Sequence, residues 1–509
     1  MMASLRRQSG ITLQTLLSDF VIDRVLADVE VTGITGNSVQ VNPGDLFVAQ
    51  AGLTQHAIDY AAAAIKAGAI AVIYDADDHY CQQRVLLLQK THAVEFIGIP
   101  DLAFNCGLIA AKFYADPSKN FKLIGVTGTD GKTSVTHLLV QALTRMGKKA
   151  GSVGTLGYGI ANKLKMTRFT TPDAITLQSI LSELSETGCE YVVMEVSSHA
   201  LEQHRVSGCH FDVAVLTNLG SDHLDYHGDQ AQYRDVKSRL FDMPGLTARV
   251  LNLADEFGRS LQSMHKGNKV MGYSADLANH KPSQVNLVFS EMMPQGIKIS
   301  ASTANGLFEI QTGLIGKFNI DNLLACLSVL LQLGFKHQQI ETSMQNLQPI
   351  PGRMEYFPSS SQLPAVVIDF AHTEQALEAC LSSLKNYTRG RLICVFGCGG
   401  DRDQSKRPKM AAVAERLADQ VIVTDDNPRN ESAQHIMRDI LSGFSAPEQA
   451  RVIHDRQKAI EIALADATPQ DLVVIAGKGH EEYQIVGNQR LPFSDRYVVR
   501  QAFQKRVSL

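Results

Sequence analysis

Several marks of membrane and nucleic-acid-binding proteins are missing from this sequence of 509 residues. No stretch reaches about 18 uninterrupted apolar residues, which is the length that a membrane-spanning helix needs. The amino-terminal segment MMASLRRQSGITLQTLL has two arginines but no sustained apolar core, so we expect no signal peptide. The 48 basic and 52 acidic residues are interleaved, and the lack of a basic stripe argues against nucleic acid as the main partner.

Paired cysteine motifs are missing too. The eight cysteines are scattered along the chain, and no two of them form a CxxC pair. In so long a chain this spacing favours reduced, mostly buried thiols and therefore a cytoplasmic protein. No internal repeat or low-complexity segment is present, and a composition of 44% hydrophobic and 20% charged residues is typical of a globular chain.

The length and the patterning predict an α/β protein of three domains. Apolar strand-like runs alternate with helical runs, which indicates βαβ units and parallel sheets. We expect a small α/β domain at 1–99 and a central domain of the P-loop ATPase type at 100–348, with a mostly parallel sheet plus antiparallel strands over 286–315. LQPIPGRME at 347–355 has the prolines and glycine of a hinge. After it, at 349–509, we expect a Rossmann-like, doubly wound domain.

The stretch GVTGTDGKTS, at 125–134, lies between a predicted strand and a predicted helix. Such a loop binds phosphate, because backbone N–H groups beside its glycines close around the anion and the helix directs its positive end there. Lys132 supplies a cation, and Thr133 or Ser134 supplies a hydroxyl for Mg²⁺. Val126 stands at the position of the usual first glycine, so the motif is a variant. A glycine-rich turn with a chance Lys-Thr pair is the alternative.

Two further strand ends carry groups that suit a metal–phosphate site. Glu195 ends the predicted strand YVVMEV, and an acid beside a phosphate loop can hold Mg²⁺. Asp222 and His223 follow the next strand, where a purely structural histidine is the alternative. Lys237, on a helical segment, has by itself the pattern of an ordinary surface lysine.

The loop GVTGTDGKTS resembles the ATP loop of the Mur ligases, whose pattern is GTNGKT[ST]; Asp130 stands where the family usually has Asn. These enzymes join amino acids to the cell-wall precursor UDP-N-acetylmuramate. The segments GTLGYG at 154, TTPD at 170, EVSSHALEQHRV at 195, TNLGSDHLDYHGD at 217 and GKFNIDN at 316 are similar to one branch, the UDP-N-acetylmuramoyl-tripeptide synthetases. The first domain matches less well, since the family's DSR is Asn37-Ser38-Val39 here and its Asp-Gly is His56-Ala57.

The resemblance implies sites for ATP, for two Mg²⁺ ions and for the UDP substrate. The Mur pattern Y-x-x-x-K places a carbamylated lysine at Lys237, and a carbamate is an anion that can ligate Mg²⁺ where an ammonium cannot. The implied catalytic residues are Lys132, Glu195, His223 and Lys237, and the implied metal ligands are Thr133, Glu195, His223 and the Lys237 carbamate. The implied ATP contacts are Gly128, Thr129, Asp130, Gly131, Lys132, Thr133, Ser134, Asn319 and Asn322. The implied contacts to the UDP substrate are Ser38, Thr170, Thr171, Ser197, Gln203 and Arg205.

Other readings stay open for some of these residues. Asn319 and Asn322 lie just before LLACLSVLL, where capping of a helix is the alternative role. The resemblance implies that two strand-end loops help to bind ATP. One contains Asp369 and His372, and the other contains Arg402 and Arg407. A solvated charged loop is their alternative.

The stretch TDDNPRNES at 424–432 bears on specificity. Its Asp-Asn-Pro-Arg resembles the signature of Mur ligases that add meso-diaminopimelate rather than lysine. Diaminopimelate has a second amino-acid head, whose carboxylate an arginine fork can pair and whose ammonium Glu481 can accept. The alternative is a proline turn that starts a helix. The implied diaminopimelate contacts are Arg402, Asp426, Asn427, Pro428, Arg429, Gly477 and Glu481.

The resemblance, together with these features, implies a bacterial, cytoplasmic ligase that uses ATP and two Mg²⁺ ions. It would add meso-diaminopimelate to the D-glutamate γ-carboxylate of UDP-N-acetylmuramoyl-L-alanyl-D-glutamate through an acyl phosphate, in peptidoglycan precursor synthesis. We expect a monomer whose partners are these substrates, without nucleic acid or a membrane span. His199 and His372 are candidates for the base that deprotonates the incoming amine.

Three alternatives remain. The same ligase could add L-lysine, but DNPR argues against this. A folylpolyglutamate-type ligase would share the fold, but EVSSHALEQ and PGDLF argue against it. The third alternative is a non-catalytic nucleotide-binding homologue. The evidence against it is that the chain has Lys132, Glu195, His223 and Lys237 together.

Overall fold

The structure of the chain, a computed structural model, describes residues 10–21, 24–52, 55–160, 163–220, 224–265, 269–276, 284–293, 296–359, 362–385 and 387–507. The chain divides into two units. The first comprises Met1–Thr127, Leu143–Val215 and Arg234–Arg249, and the second comprises Gly128–Ala142, Leu216–Tyr233 and Val250–Leu509. The three domain boundaries expected from the sequence stay a prediction.

The amino-terminal part of the first unit is built on a four-stranded parallel sheet in the order β3-β4-β5-β6, and β1 pairs with β2 in a separate antiparallel ladder. Every residue of β4 is buried, as expected for a parallel strand that is covered on both faces. The elements are β1 (Ile11–Thr12), α1 (Leu13–Leu17), β2 (Glu30–Val31), β3 (Gly33–Thr35), β4 (Asp45–Ala49), α2 (Ala61–Lys66), β5 (Ala71–Asp75), α3 (His79–Leu88), β6 (Glu95–Ile99) and α4 (Leu102–Phe113).

The next part of the chain contributes to both units. Its elements are β7 (Lys122–Thr127), α5 (Lys132–Arg145), β8 (Ala150–Gly154), β9 (Gly157–Ile160), β10 (Lys163–Lys165), α6 (Ala174–Glu186), β11 (Tyr191–Glu195), α7 (Ser198–Glu202), β12 (Val213–Leu216), α8 (Leu224–His227), α9 (Gln230–Ser238), β13 (Ala248–Asn252), α10 (Glu256–Met264), β14 (Val270–Ser274), β15 (Val285–Met293), β16 (Gly296–Thr303), β17 (Gly306–Thr312), α11 (Asn319–Gln332) and α12 (His337–Met344).

Parallel and antiparallel pairing both occur among these strands. In the first unit, β11 lies between β7 and β8 and is parallel to both, while β9 and β10 extend that edge as an antiparallel meander. In the second unit, β14 and β15 are parallel, and β15, β16 and β17 form antiparallel pairs. The antiparallel strands predicted over 286–315 are therefore confirmed.

The carboxy-terminal part of the second unit has a six-stranded sheet in the order β18-β19-β23-β20-β21-β22, in which only the β18 pairing is antiparallel. Buried side chains of α13, α14 and α15 cover one face, and those of α16 and α17 cover the other. The predicted doubly wound sheet is confirmed. The elements are β18 (Glu355–Phe357), β19 (Ala365–Asp369), α13 (Glu374–Lys385), β20 (Leu392–Phe396), α14 (Lys406–Leu417), β21 (Gln420–Val423), α15 (Ala433–Leu441), β22 (Arg451–Val452), α16 (Arg456–Asp466), β23 (Leu472–Ala476), β24 (Tyr483–Val486), β25 (Gln489–Pro492) and α17 (Asp495–Val507).

The thiols agree with the expectation of reduced, buried cysteines. All eight cysteines are free and buried, and burial raises the pKa of Cys106 and of Cys209 to about 12, which leaves them poor nucleophiles at neutral pH. Among the described residues, no helix is both long enough and apolar enough to cross a lipid bilayer.

Candidate active site

The predicted phosphate loop joins the end of β7 to the start of α5. Its two glycines have positive φ angles, +147° at Gly128 and +83° at Gly131. A Cβ atom on Gly128 would lie 1.9 Å from Thr217 Oγ1, and one on Gly131 would lie 2.7 Å from Asn322 Oδ1. The loop therefore packs closely against Thr217 and Asn322, and only glycine fits at positions 128 and 131.

The segment after β12 fixes the main chain of this loop. Thr129 N donates to Asn218 O and Asp130 N to Asn218 Oδ1, both at 2.9 Å, and Gly220 N donates to Thr129 Oγ1 at 2.8 Å. The carbonyl of Asp130 accepts from Thr217 Oγ1 at 2.5 Å and from Asn218 Nδ2 at 3.1 Å. Asp130, which stands where the family usually has asparagine, is exposed, and its backbone N–H and carbonyl are both bonded to the 217–218 segment.

A further layer of side chains supports that segment. Asn252 Nδ2 donates to Thr217 O at 2.8 Å. The carboxylate of Asp255 accepts from Leu219 N at 2.7 Å and from Phe257 N at 2.8 Å, which caps α10. These bonds hold the 217–219 backbone in the position from which it shapes the phosphate loop.

Lys132 and Thr133 lie at the start of α5, as the loop motif predicts. Lys132 Nζ donates to the carbonyls of Gly128 and Thr129, both at 2.9 Å, so its ammonium lies over the loop. Thr133 and Ser134 are buried.

Arg353 is a contact of the phosphate loop that the sequence reading missed. Its Nη2 lies 3.4 Å from Thr133 Oγ1, and its guanidinium lies 4.4 Å from the centre of the Phe370 ring. The residue belongs to the segment read only as a hinge. The one available signal was an arginine directly after a proline–glycine turn.

Asn319 and Asn322 are both buried in the first turns of α11. Asn319 Nδ2 donates to Ile315 O at 2.7 Å, and Asn322 Nδ2 donates to Asn319 Oδ1 at 2.9 Å. The residue at the N-cap is Phe318, which makes no side-chain cap. The helix-capping alternative is therefore wrong, and Asn322 instead packs against Gly131 of the phosphate loop.

In the first unit, Glu195 is wholly buried at the end of β11, in register with Val126 of β7. Its carboxylate accepts from Thr155 N at 2.8 Å and from Thr155 Oγ1 at 3.1 Å. Thr155, which the sequence reading did not single out, thus fixes the orientation of the acid. Its hydroxyl also lies 3.1 Å from that of Thr170.

The residues predicted to contact the UDP substrate in this unit, except Ser38, lie in one hydrogen-bonded cluster. Thr171 Oγ1 donates to Glu195 O at 2.8 Å and accepts from Ser197 N at 3.1 Å. Arg205 donates to Thr171 O at 2.8 Å and to Gln203 Oε1 at 2.6 Å and 3.0 Å.

An aromatic ring lies beside Arg205, whereas Ser38 lies in a separate turn. The guanidinium of Arg205 lies 4.9 Å from the ring centre of the exposed Phe169. Ser38 begins a separate 3₁₀ turn and is half-buried. In the part of the chain that the structure describes, no hydrogen bond joins Ser38 to the cluster.

Lys237 is 1% exposed near the end of α9, so the reading as an ordinary surface lysine is wrong. The other predicted groups of this region, Asp222 and His223, lie outside the described residues. His199 is half-buried on α7.

The replacement of the family's Asp-Gly by His56-Ala57 has a local explanation. His56 Nδ1 accepts from Ile58 N at 3.2 Å, the capping bond that an aspartate could also make. The His56 proton therefore lies on Nε2, which faces Asp78 Oδ2 at 3.0 Å and Cys81 Sγ at 3.4 Å. These three side chains lie close enough to hold a metal ion, but the protonated Nε2 has no lone pair to offer.

In the carboxy-terminal part, the segment 426–429 follows β21 and is hydrogen-bonded to residues that follow β23. Asn427 Oδ1 accepts from Lys478 Nζ at 3.0 Å and from Ile485 N at 2.9 Å, and Asn427 Nδ2 donates to Glu481 Oε2 at 2.8 Å. Lys478 Nζ also donates to Glu481 Oε2, at 2.8 Å. The amide carbonyl of Asn427 is thus occupied within the protein, and of its two N–H donors one is directed to Glu481, which leaves the second for a ligand.

The backbone of Arg429 adopts φ +53° and is pinned to the hairpin β24–β25. Arg429 N donates to Ile485 O at 3.0 Å, and Gly487 N donates to Arg429 O at 2.8 Å. Arg429 Nη1 donates to Gly400 O at 2.7 Å. Burial, followed by the charge of Arg402, lowers the pKa of the guanidinium from its usual value.

The remaining residues predicted to bind diaminopimelate lie at the same edge of the sheet. Pro428 and Asp426 are buried, and burial raises the pKa of Asp426 against the opposing charge of Lys478. A Cβ on Gly477 would lie 2.6 Å from Asp426 Oδ2. Arg402 is exposed and donates to Asp401 O at 3.1 Å.

Three other residues of the nearby strand-end loops, Arg407, Asp369 and His372, are bonded within the protein. Arg407 is wholly buried and pairs with Glu431 at 2.8 Å and Asp439 at 2.7 Å, which is a structural ion-pair network rather than a ligand-binding side chain. Asp369 accepts from the backbone N–H groups of residues 354 and 371. His372 is half-buried, and its Nδ1 donates to Phe370 O at 2.9 Å.

Comparison with known families covers most of the chain. Residues 30–114 match the family model described as "Mur ligase family, catalytic domain", residues 126–330 match "Mur ligase middle domain", and residues 352–479 match "Mur ligase, glutamate ligase domain". The chain belongs to the Mur ligase family. The predicted family and the predicted α/β fold class are confirmed.

Individual relatives carry a more specific name. A UDP-N-acetylmuramoyl-L-alanyl-D-glutamate–2,6-diaminopimelate ligase of Alkalilimnicola ehrlichii is 44% identical over 492 residues, which are 96% of this chain and 98% of the relative. The ligase of the same name from Xanthomonas oryzae pv. oryzae is also 44% identical, over 98% of this chain and 99% of its own. A solved structure of a ligase of this name is 33% identical, with a TM-score of 0.70 over 98% of this chain and 99% of that chain.

Proposed function

We propose that this protein is an ATP-dependent ligase that joins meso-diaminopimelate to the D-glutamate γ-carboxylate of UDP-N-acetylmuramoyl-L-alanyl-D-glutamate. The membership of the Mur ligase family and the names of relatives at 44% identity support this reaction. The observation that carries the choice of amino acid is that Arg429 and the hydrogen-bonded network of Asn427, Lys478 and Glu481 lie at the same edge of the sheet. A cation and an anion held at one edge suit a zwitterionic head group.

The chemistry follows from the need to activate a carboxylate. The γ-phosphoryl group of ATP passes to a γ-carboxylate oxygen of the D-glutamate, which gives an acyl phosphate and ADP. The amine of diaminopimelate attacks the carbonyl carbon, a C–N bond forms, and the C–O bond to phosphate breaks as inorganic phosphate leaves. The amine loses one proton in this step. Lys132 lies over the loop that would hold the triphosphate, where its charge stabilises the phosphoryl group in transfer.

The loop residues and the asparagines of α11 would bind the nucleotide. The phosphates would lie at the amino end of α5, which begins at Lys132 and where an anion is favoured, while the N–H groups of Thr129 and Asp130 stay bonded to Asn218. Asn322 borders Gly131, which supports its predicted place near ATP. Arg353, in contact with Thr133, would add a second cation beside Lys132.

The donor set suits Mg²⁺, an ion that prefers oxygen ligands. Thr133 offers a hydroxyl and the buried Glu195 a carboxylate, and a carbamate on Lys237 would offer further anionic oxygens. When bound, Mg²⁺ would neutralise charge on the triphosphate. The burial of Lys237 supports the carbamate, because it holds the side-chain nitrogen inside the protein, away from bulk water. A lysine on the surface would not be placed to ligate a metal ion.

The substrate-binding groups of the first unit complete the assignment. We place the UDP substrate against Thr170, Thr171, Ser197, Gln203 and Arg205, whose mutual hydrogen bonds fix the arginine fork, and we retain Ser38 as a predicted contact to its uridine end. We further propose that the chain is a monomer with three domains, at 1–99, 100–348 and 349–509. We also propose a bacterial cytoplasmic location, and the free, buried thiols support that location.

The decisive experiment measures phosphate release from ATP with Mg²⁺ and the UDP-dipeptide, with meso-diaminopimelate and L-lysine compared. We expect release that depends on diaminopimelate and is at least about 100-fold weaker with lysine, because lysine leaves Arg429 unpaired. Release with lysine alone would overturn the amino-acid specificity. No release with either amino acid would favour a non-catalytic nucleotide-binding protein.

A further inference from the structure

A buried lysine at the specificity site is not explained by the binding roles given above. Lys478, two residues after β23, is 0% exposed. Its ammonium donates to Asn427 Oδ1 at 3.0 Å and to Glu481 Oε2 at 2.8 Å, and it lies 4.0 Å from Asp426 Oδ1. A fully buried cation is costly unless it is paired, so three acceptors around one ammonium indicate a built site.

We propose that Lys478 is a positioning residue that sets the preference for diaminopimelate over lysine. It does so by orienting Asn427 and Glu481 and by balancing the charge of the pocket. The proposal rests on the proposed function, since it concerns the distal head of the amino acid that this site would bind.

The orienting effect follows from hydrogen-bond direction. Asn427 Oδ1 accepts from two donors, Lys478 Nζ and Ile485 N, so the amide cannot flip without losing both bonds. Its N–H₂ group is thereby directed to Glu481 Oε2. The same carboxylate oxygen accepts from Lys478, which leaves the other oxygen of Glu481 for a ligand ammonium.

The balancing effect follows from counting charges. Lys478 and Arg429 are positive, and Asp426 and Glu481 are negative, so these four groups sum to zero. The exposed Arg402 and Asp401, which also act on Arg429, are one positive and one negative charge and leave the sum unchanged. The adjacent Arg456 is already matched by a two-bond ion pair with Asp495, at 2.8 Å and 2.9 Å. A zwitterionic head adds no net charge to a neutral pocket, whereas the side-chain ammonium of lysine adds one positive charge and leaves Arg429 without a carboxylate.

Replacing Lys478 by a neutral residue would therefore change selectivity as well as affinity. The pocket would carry one negative charge in excess, which favours the cationic side chain of lysine. Asn427 and Glu481 would lose the group that orients them, which weakens binding of diaminopimelate. A lysine with only a structural role would lower stability and kcat for both amino acids alike.

The test compares K478M, which keeps an unbranched side chain, with wild type in the phosphate-release assay. We expect KM for meso-diaminopimelate to rise about 10- to 100-fold, the range for losing a hydrogen bond between charged groups, with a smaller change in kcat. The ratio of kcat/KM for diaminopimelate to that for L-lysine is expected to fall at least about 10-fold. An unchanged ratio, or equal falls in kcat with KM unchanged, would overturn the proposal.

A control variant separates stability from selectivity. Arg391 pairs with Asp471 at 2.9 Å at the opposite, amino-terminal end of the same strands, β20 and β23. R391M is expected to lower the melting temperature while the selectivity ratio stays within about 2-fold of wild type, since it removes an ion pair far along the strands from Lys478. A drop in the ratio with R391M as large as with K478M would also overturn the proposal.

A second variant keeps the test decisive if K478M does not fold. K478Q retains a polar group, and it is combined with E481Q in a double-mutant cycle. If Lys478 acts through Glu481, K478Q changes the KM for diaminopimelate much less in the E481Q background than in wild type; additive effects would contradict this. Failure of the proposed function is distinct, because it would appear as no diaminopimelate-dependent phosphate release in the wild-type protein.

Discussion

Adding one methyl group to the phosphate loop tests whether its shape is set by its neighbours. In Gly128→Ala, the new Cβ would lie 1.9 Å from Thr217 Oγ1 and 3.0 and 3.1 Å from the backbone O and N of Asn218. The carbonyl of Asn218 already accepts from Thr129 N, so it cannot withdraw without breaking that bond. The φ angle of +147° adds strain for any residue with a Cβ.

The expected loss of stability can be worked from these contacts. The backbone strain costs about 1–2 kcal/mol. Displacing the Thr217 hydroxyl breaks its partly buried hydrogen bond to Asp130 O, at a cost of about 1–2 kcal/mol. The total is about 2–4 kcal/mol. Gly147→Ala is the matched control, because Gly147 has a φ of +77° and nothing lies within 4 Å of its added Cβ, so only the strain applies.

Melting temperature and ATP affinity are measured for both variants. Gly128→Ala is expected to melt about 2–8 °C below Gly147→Ala, given 2–4 °C for each kcal/mol in a domain of this size. Calorimetric titration is expected to show ATP binding weakened at least about 10-fold in Gly128→Ala and unchanged in Gly147→Ala, because only the first moves the phosphate loop. Equal melting temperatures and equal ATP affinities in the two variants would refute the reasoning.

Three further predictions concern other groups. Asp255→Ala removes the acceptor of Leu219 N and the cap of α10, so we expect a higher KM for ATP and a loss of about 1–2 kcal/mol of stability; an unchanged KM would contradict the supporting role. Lys237→Ala is expected to abolish phosphate release and to recover part of it with short carboxylic acids, whereas full activity without them would remove the carbamate. Burial lowers the pKa of His480 to about 3, so the unfolded chain alone takes up its proton as the pH falls below about 6.5. Stability is therefore lost from about pH 6.5 down to about 3, and His480→Gln should make the melting temperature less sensitive to acid over that window; an identical acid profile would argue against it.

The strands that build the sheets were predictable from sequence because parallel strands are buried on both faces. Runs such as LFVA at 46–49 and LVVIA at 472–476 are apolar at every position, and the structure buries each residue of both. The hairpin β24–β25 gave no such signal, since its residues are only partly buried or exposed. Its importance comes from pairing with Arg429, a contact between distant parts of the chain that periodicity cannot reveal.

Site residues followed the same division. Gly128, Lys132 and Glu195 could be proposed because strand, loop and helix follow one another locally at the motif. Lys478 and Thr155 were missed because their meaning depends on partners 51 and 40 residues away, Asn427 and Glu195. The capping rule also failed at α11, where tertiary contacts with Gly131 took precedence over local helix capping.

These contacts show that two loops of the second unit, the phosphate loop and the segment 426–429, are held in shape by other segments of the chain. The phosphate loop takes its form from Thr217 and Asn218, which in turn depend on Asp255. The Asp-Asn-Pro-Arg segment depends likewise on Lys478 and on the hairpin β24–β25. A buried asparagine whose carbonyl is taken by a lysine presents a different group to a ligand from one whose carbonyl is free. If Lys478 acts as proposed, the Asp-Asn-Pro-Arg motif would select an amino acid only in a chain that also has the buried lysine and the hairpin β24–β25.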